Sequence, residues 1–449
     1  MDSPRLASLT CLVLATTAAC GDDLGSTPDL RVVPGDAALK VGGSARFQVV
    51  DADGQSVPAR LEVDGVGTID AGGRYLAPRA PATDTISAGE LDAVAATVEI
   101  TGYTGRVAAL AASAGKHTGH AAVPLADGSV LFVGSMDDTV IERFVPATRT
   151  VEPAGDLGDT RWDLTATPLP GGEVLIAGGR SYLNTYALVV ILRDGTLETV
   201  GSLTEGRFAH RAVALAGGEV LISGGLPRDG HEVTALATVE VYDPAARGFR
   251  ATGAMSVARS QHTATRLRDG RVLIVGGRDS TCEIACPQAV WASAELYDPA
   301  TGQFTPTGSM ALARADHTAT LLDDGRVVIA GGTTPDLAGT DLASTVEIYD
   351  PSTGRFTAGG TMRVSRSEHT ATLLGDGRVL LAHGRSDGAG TIATATMEAY
   401  DPATFASELT SSPRVTRFRH TATRLDSGEV VLAGGTEGGG GLTAIELYD

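Results

Sequence analysis

A chain of 449 residues has room for more than one domain, and its formal charge of −19 goes with 43% apolar residues, only 4% aromatic residues and 57 glycines. Lys40 and Lys116 are the only lysines, and no basic run occurs. Nucleic acids and anionic membrane surfaces are recognised by clustered cations, so neither is an expected partner.

Residues 1–20 read as a targeting segment rather than as fold. Arg5 precedes a mostly apolar stretch from Leu6 to Leu14, too short to span a bilayer. Thr17-Ala18-Ala19-Cys20 comes next, then Gly21-Asp22-Asp23. Small residues before a cysteine resemble a bacterial lipoprotein signal, which implies Cys20 as the lipidated new N-terminus. The other reading is an ordinary signal peptide cleaved nearby. The lipoprotein reading places the chain in a bacterial cell envelope, outside the cytoplasm, with the outer membrane as the expected site. An acyl chain contributes about 0.8 kcal/mol per buried CH₂, so a multiply acylated cysteine is a durable anchor and the expected contact with a membrane. Residues 21–29 are polar and turn-rich, which suits a tether.

Residues 30–101 change texture. Short alternating runs appear at Leu30 to Val33, Ser44 to Val50 and Ala96 to Ile100, separated by Asp53-Gly54, Asp64-Gly65 and Gly72-Gly73. Several short strands divided by such turns predict a small β-sandwich. Gly67-Thr68-Ile69-Asp70 with Gly73-Arg74-Tyr75-Leu76-Ala77-Pro78 resembles bacterial immunoglobulin-like domains of surface proteins, which implies a spacer. Joined by a linker, it is expected to fold independently of the rest of the chain.

From residue 104 onward one sentence recurs seven times, anchored at His120, Leu164, His210, His262, His317, His369 and His420, with spacings of 44 to 55 residues. Near Arg314 it reads HTATLLDDGRVVIAGG and then TVEIYDPSTGRFTAGGTM. A period near 50 with a glycine doublet and a later tyrosine is the pattern of a four-stranded propeller blade, which buries its faces only by stacking on its neighbours. In the fifth copy the predicted strands are 317–322, 326–332, 345–349 and 355–359. Asp324-Gly325 makes the first turn, and Asp350-Pro351-Ser352-Thr353-Gly354 the last. The pattern resembles the kelch repeat over roughly residues 104–449. The fold expected is all-β: a seven-bladed kelch-type β-propeller preceded by the small sandwich. The chain stops at Tyr448-Asp449 without a fourth strand for the last copy. Thr104-Gly105-Arg106-Val107 carries the same offset to His120 that Thr353-Gly354-Arg355-Phe356 carries to His369. The N-terminal segment is therefore expected to pair with Ile445-Glu446-Leu447 and close the circle.

Arg161, Arg207, Arg259, Arg314, Arg366 and Arg417 stand three residues before the anchor position. A catalytic residue is normally singular, so a repeated Arg and His reads as a hydrogen-bond network that satisfies buried carbonyls. Binding is expected where the copies differ, on the loops between the second and third strands. The candidates there are Tyr182, Tyr186, Asp229, His231, Trp291, Asp336 and Asp341. Arg180, Arg278 and Arg385 come directly after the glycine doublet or its remnant. They are expected either at the channel mouth, as forks for a carboxylate or an acidic sugar, or in ion pairs with Asp279 and Asp387. His383 breaks the doublet and reads as a tolerated substitution or a ligand. Cys282 and Cys286 are the only cysteines left in a mature chain. In an oxidising compartment the pair reads as a disulfide, with free thiols or a metal as the other readings.

Galactose oxidase also looks like a seven-bladed kelch propeller. Its copper takes Tyr and His ligands and a Tyr crosslinked to Cys, and nothing in this chain matches that motif residue by residue. No catalytic residue, metal or cofactor is therefore expected. The function expected is an exported, lipid-anchored and monomeric surface protein whose propeller binds a protein or a glycan. The alternative is a carbohydrate-active enzyme, oxidase-like or mutarotase-like, with its site at the channel mouth.

Overall fold

A computed structural model describes residues 30–89, 91, 93–110, 112–227, 233–281, 289–335, 342–386, 392–410 and 413–449. Cys20, Asp229, His231, Cys282, Cys286, Asp336, Asp341 and Asp387 lie outside the described residues. The described part is all-β, and none of its residues forms a helix long and apolar enough to cross a membrane.

The first unit builds two four-stranded sheets. One joins Leu30–Val33, Gln48–Val50, Ser56–Val57 and Ala93–Val94; the other joins Asp36–Lys40, Ala96–Thr101, Ala82–Ser87 and Glu62–Asp64. Ala96–Thr101 alternates buried and exposed positions, as a strand covered on one face must. Val32, Phe47, Val49, Tyr75, Ile86, Val98 and Ile100 form the shared core. Asp84 is buried there and fully used. It accepts from the Tyr75 hydroxyl at 2.6 Å and from the backbone N–H groups of Val66 at 3.0 Å and Gly67 at 2.7 Å.

From Val107 onward, four-stranded antiparallel sheets succeed one another, consistent with a β-propeller. In the fifth, Thr318–Leu321, Val327–Ala330, Thr345–Asp350 and Arg355–Thr361 pair in sequence order, within a residue or two of the predicted bounds. The second strand is buried at every position, because sheets lie against both its faces. Gly325 has φ +93° in the first turn, and the Asp324 carboxylate accepts from the Arg326 N–H at 2.9 Å. The repeat tyrosines stitch neighbouring sheets together: the Tyr349 hydroxyl lies 2.9 Å from Thr307 Oγ1 and that of Tyr297 2.9 Å from Thr252 Oγ1.

The first strands of successive sheets pack side by side in a closed cycle, from Ala121–Pro124 round to Thr421–Arg424 and back. Closure takes the expected route with a one-residue offset: Val107–Ala109 pairs antiparallel with Tyr448, Leu447 and Glu446. Backbone bonds extend the pairing at both ends, with Gly105 N to Asp449 O at 2.7 Å, Leu110 N to Ile445 O at 2.9 Å and Ser113 N to Thr443 O at 3.0 Å.

The first unit is seated on the turn face of the sixth and seventh sheets. Lys40 N donates to Ser427 O at 2.8 Å, and Ser44 N donates to Asp426 O. The approach is so close that a Cβ at Gly375 would lie 1.6 Å from Val41 O. Tyr103 seals the joint: its hydroxyl donates to Gly428 O at 2.6 Å and accepts from Gly375 N at 3.1 Å.

Candidate functional site

The site is built on a buried frame. Arg207, Arg259, Arg314, Arg366 and Arg417 are fully buried. In the fifth sheet Arg314 Nη1 donates to the carbonyls of Gly331 at 2.9 Å and Thr345 at 3.0 Å, while Nη2 reaches Glu347 at 2.8 Å. Arg366 repeats this with Glu398 at 2.6 Å, and Arg417 with Glu446 at 2.7 Å. The expected carbonyl network is present, and it also contains a glutamate from the third strand in each of these sheets. In the first sheet His117 takes the arginine's place, with Nε2 2.6 Å from Glu142. The second sheet has Val190 where the others have the glutamate. There Arg161 keeps two carbonyl bonds and lies 4.6 Å from the centre of the Tyr186 ring, and burial lowers it to about 10. Removing one partner of a buried pair of this kind costs about 3–5 kcal/mol, because the other charge is left uncompensated.

The anchor histidines form a girdle around the axis. Each Nε2 meets a hydroxyl of the preceding sheet: His210 with Thr165 at 2.9 Å, His317 with Thr263 at 3.0 Å, His369 with Thr318 at 3.1 Å and His420 with Thr370 at 3.0 Å. The glycine doublet makes room for it. A Cβ at Gly331 would lie 2.4 Å from Arg366 O and 2.7 Å from His369 Cε1. His383 occupies the equivalent place in the sixth sheet at φ +53°, its ring 5.0 Å from that of His420. Both its ring nitrogens are buried without a partner among the described residues, and burial lowers it to about 3.

The residue before each anchor lines the central cavity. Asp163, Ala209, Gln261, Asp316, Glu368 and Arg419 all have φ between +48° and +53°, with Gly119 at +66°. Such backbone is uncommon for non-glycine residues. It is held by hydrogen bonds that pass from one sheet to the next, such as Asp163 N to Gly119 O at 2.9 Å and Gln261 N to Ala209 O at 3.0 Å. The ring opens into an axial cavity of about 790 Å³.

Arg180 lines this cavity, and Arg180, Arg278 and Arg385 are each paired with a carboxylate that lines it. Arg180 meets Asp163 at 3.0 Å, Arg278 meets Asp316 at 2.8 Å, and Arg385 meets Glu368 at 3.3 Å. The neighbour Asp279 accepts from Ala289 N at 3.0 Å. Arg419 also reaches Glu368, at 3.1 Å; burial pushes the Glu368 carboxyl up, and Glu368 in turn raises Arg419.

Of the loop candidates, Tyr182, Tyr186 and Trp291 lie among the described residues. Tyr182 and its neighbour Leu183 are 71% and 90% exposed, and the Tyr182 ring lies 4.8 Å from that of Trp162. Tyr186 is half-buried, its hydroxyl donating to Asp159. Trp291 is half-buried and donates from Nε1 to Ala258 O at 3.1 Å. Val233–Thr234 and Ser280–Thr281, from the loops of the third and fourth sheets, pair with each other, so these two loops brace one another. Among the described residues no three His, Cys, Asp or Glu side chains are gathered as metal ligands.

Sequence reasoning missed the axial ring and Arg211. Arg211 lines the cavity one residue beyond its anchor, where Thr165, Thr263, Thr318, Thr370 and Thr421 stand in other copies. Aligning the copies column by column exposes both.

Residues 314–363 match the Kelch motif family model. No curated protein matches the chain. Among the solved structures, 367 chains match. One is a fungal alcohol oxidase of the AA5 family in complex with copper, 15% identical, covering 77% of this chain and 76% of its own, with a TM-score of 0.61. At that identity the likeness is one of fold alone. The chain therefore carries a kelch repeat within an all-β fold of the propeller type.

Proposed function

We propose that this is an exported kelch-repeat surface protein whose seven-bladed propeller, carried on an immunoglobulin-like spacer, binds a protein or glycan on its loop face. The observation that carries this reading is the contrast within one face. The repeated Arg, Glu and His side chains are consumed in holding the sheets together, while Tyr182 and Leu183 stand exposed on a rigid rim beside the mouth. An exposed aromatic on a fixed loop is the usual anchor of a protein contact or a sugar-stacking contact. The spacer sits on the opposite, turn face, so the loop face points away from it. Cys282 and Cys286 are proposed to form a disulfide that ties down the long loop of the fourth blade, and the protein is proposed to act as a monomer.

The test is a glycan array, together with capture of envelope proteins, on the soluble form comprising residues 21–449. Tyr182→Ala combined with Leu183→Ser is expected to lower the affinity for whatever the wild type binds at least tenfold, ~1.4 kcal/mol, with an unchanged melting temperature. Undiminished binding by that variant overturns the loop-face reading.

Anchoring is tested separately. Cys20→Ser is expected to move the protein from the membrane fraction to the soluble fraction. Retention on membranes rejects the lipoprotein reading.

The second reading, a carbohydrate-active enzyme at the channel mouth, draws on the AA5 oxidase likeness. The described residues do not fit a copper centre of that kind. Apart from the doubly unpartnered His383, the axial imidazoles already face a hydroxyl. The tyrosines that recur in the repeat are buried between sheets.

A further inference from the structure

The axial cavity holds an arginine, Arg211, without a direct ion pair; Asp316 and Asp163 act on it only at longer range. Three guanidinium groups, those of Arg180, Arg211 and Arg419, line the cavity with three carboxylates, those of Asp163, Asp316 and Glu368, and Arg278 and Arg385 reach the last two carboxylates from outside the lining. Four of the arginines are paired, two of them on Glu368. Arg211 has no carboxylate within ion-pair distance among the described residues. Its one hydrogen bond runs from Nη1 to the His210 carbonyl at 3.2 Å. It is half-buried in the cavity wall, where a cation without a direct partner is costly.

The girdle has been altered to admit it. Elsewhere the residue after the anchor is mostly a threonine that serves the next sheet's histidine. Arg211 offers no hydroxyl, and His262 bonds to Ser223 Oγ instead, at 3.0 Å. Beside Arg211, Gln261 Oε1 is buried without a hydrogen-bond partner among the described residues, and Thr265 also lines the cavity. A volume of about 790 Å³ suits a small molecule, not a folded partner.

We propose that the axial cavity binds a small organic anion bearing a carboxylate and hydroxyl groups, with Arg211 gripping the carboxylate. The planar guanidinium fork presents two parallel N–H donors to a carboxylate's two oxygens. Gln261 and the ring carboxylates, already neutralised by their own arginines, are placed to bond hydroxyls. This site is separate from the loop face, so either reading stands if the other fails.

The test is calorimetric titration of the soluble chain at neutral pH in low chloride with sodium gluconate and sodium glucuronate, and with glucose as the neutral control. At least one acid is expected to bind, and to bind tenfold or more better than glucose. Arg211→Thr is expected to fold, because threonine is the residue at this place in five other copies, and to lose tenfold or more of the acid's affinity. Arg211→Lys, which keeps the charge without the fork, is expected to fall between. No heat with either acid up to about 10 mM, a level corresponding to negligible affinity, overturns the proposal. Equal binding of glucose, or undiminished binding by both variants, also overturns it.

Discussion

Deleting residues 1–113 abolishes the folded ring, whereas deleting residues 1–101 leaves it folded with a modestly lower melting temperature. The reason lies in the last sheet. Ile445–Tyr448 is buried at all four positions and pairs with Val430–Ala433 on one side and Val107–Ala109 on the other. Removing the N-terminal strand strips that second partner and leaves an apolar strand with unpaired N–H and C=O groups at an open edge. The loss spreads, because the first sheet enters the ring through the same segment: Ser113 and His117 N–H groups are bonded to Thr443 and Leu442. In a closed ring of sheets that bury only against neighbours, one opened joint exposes two faces. The shorter deletion keeps Tyr103, whose ring is 6.0 Å from that of Tyr448 and whose hydroxyl holds Gly428 and Gly375. It loses the seat of the first unit, which is a handful of hydrogen bonds plus the Lys40–Asp449 pair and the exposed Arg74–Asp426 and Arg79–Asp323 pairs. Exposed pairs contribute about 0–1 kcal/mol, so the effect is a shift in melting temperature rather than loss of the fold. Thermal unfolding of both truncations decides it. If the 1–113 deletion melts cooperatively at the temperature of the 1–101 deletion, the ring is closed by another strand.

Most of this architecture is legible because its determinants are local and repeated. Asp-Gly and the longer Asp-Pro turns fix strand ends, and a four-residue apolar run between polar turns identifies the strand covered on both faces. The orphan strand is readable because Thr104-Gly105-Arg106 repeats a known offset. The glutamates are equally visible, two residues before each repeat tyrosine, at Glu240, Glu295, Glu347, Glu398 and Glu446. They pass unnoticed because a charged residue in a strand reads as solvent-facing unless its buried partner is in view.

The axial ring is harder to foresee for a physical reason. Asp163, Ala209, Gln261, Asp316, Glu368 and Arg419 share left-handed backbone geometry yet share no residue type. The strain is imposed by bonds between sheets, and local propensity carries no trace of it. Arg180, Arg278 and Arg385 illustrate the same limit. Their position after the glycine doublet is plain in the sequence, but their partners come from other turns of the fold, over sequence separations from 17 to 38 residues.

Acidification below pH 6.5 collapses the stability of the ring well before its carboxylates titrate. His120, His210, His262, His317, His369 and His420 are all held well below the ordinary value of 6.5 and His383 is lowered to about 3, each first by burial and then by neighbouring groups, among them Arg207, Arg211, Arg259, Arg314, Arg366 and Arg417 and the ring's other histidines. A protonated imidazole donates from both nitrogens, and Nδ1 of each has no partner among the described residues. The folded state therefore keeps them neutral, while the unfolded chain takes up protons as pH falls through 6.5. A depressed group contributes stability that is complete above its unfolded value and is lost as pH drops toward its folded value. Each histidine costs about 1.4 kcal/mol per pH unit in that window, so seven together approach about 10 kcal/mol per unit, against a total stability of about 5–15 kcal/mol. Glu142 and Glu398, held below 4.5 by His117 and by Ser407 and Arg366 respectively against the opposing effect of burial, add their loss only at lower pH. Denaturant melts between pH 8 and pH 5 are expected to be level down to about 7 and to fall steeply below 6.5. His317→Gln, which removes one titrating group, is expected to reduce the slope below 6.5 by about one seventh, whatever its effect at pH 8. A melting profile that stays level to pH 5 means the girdle accepts protons in the folded state, and the axial histidines are then wetter and better paired than their burial implies.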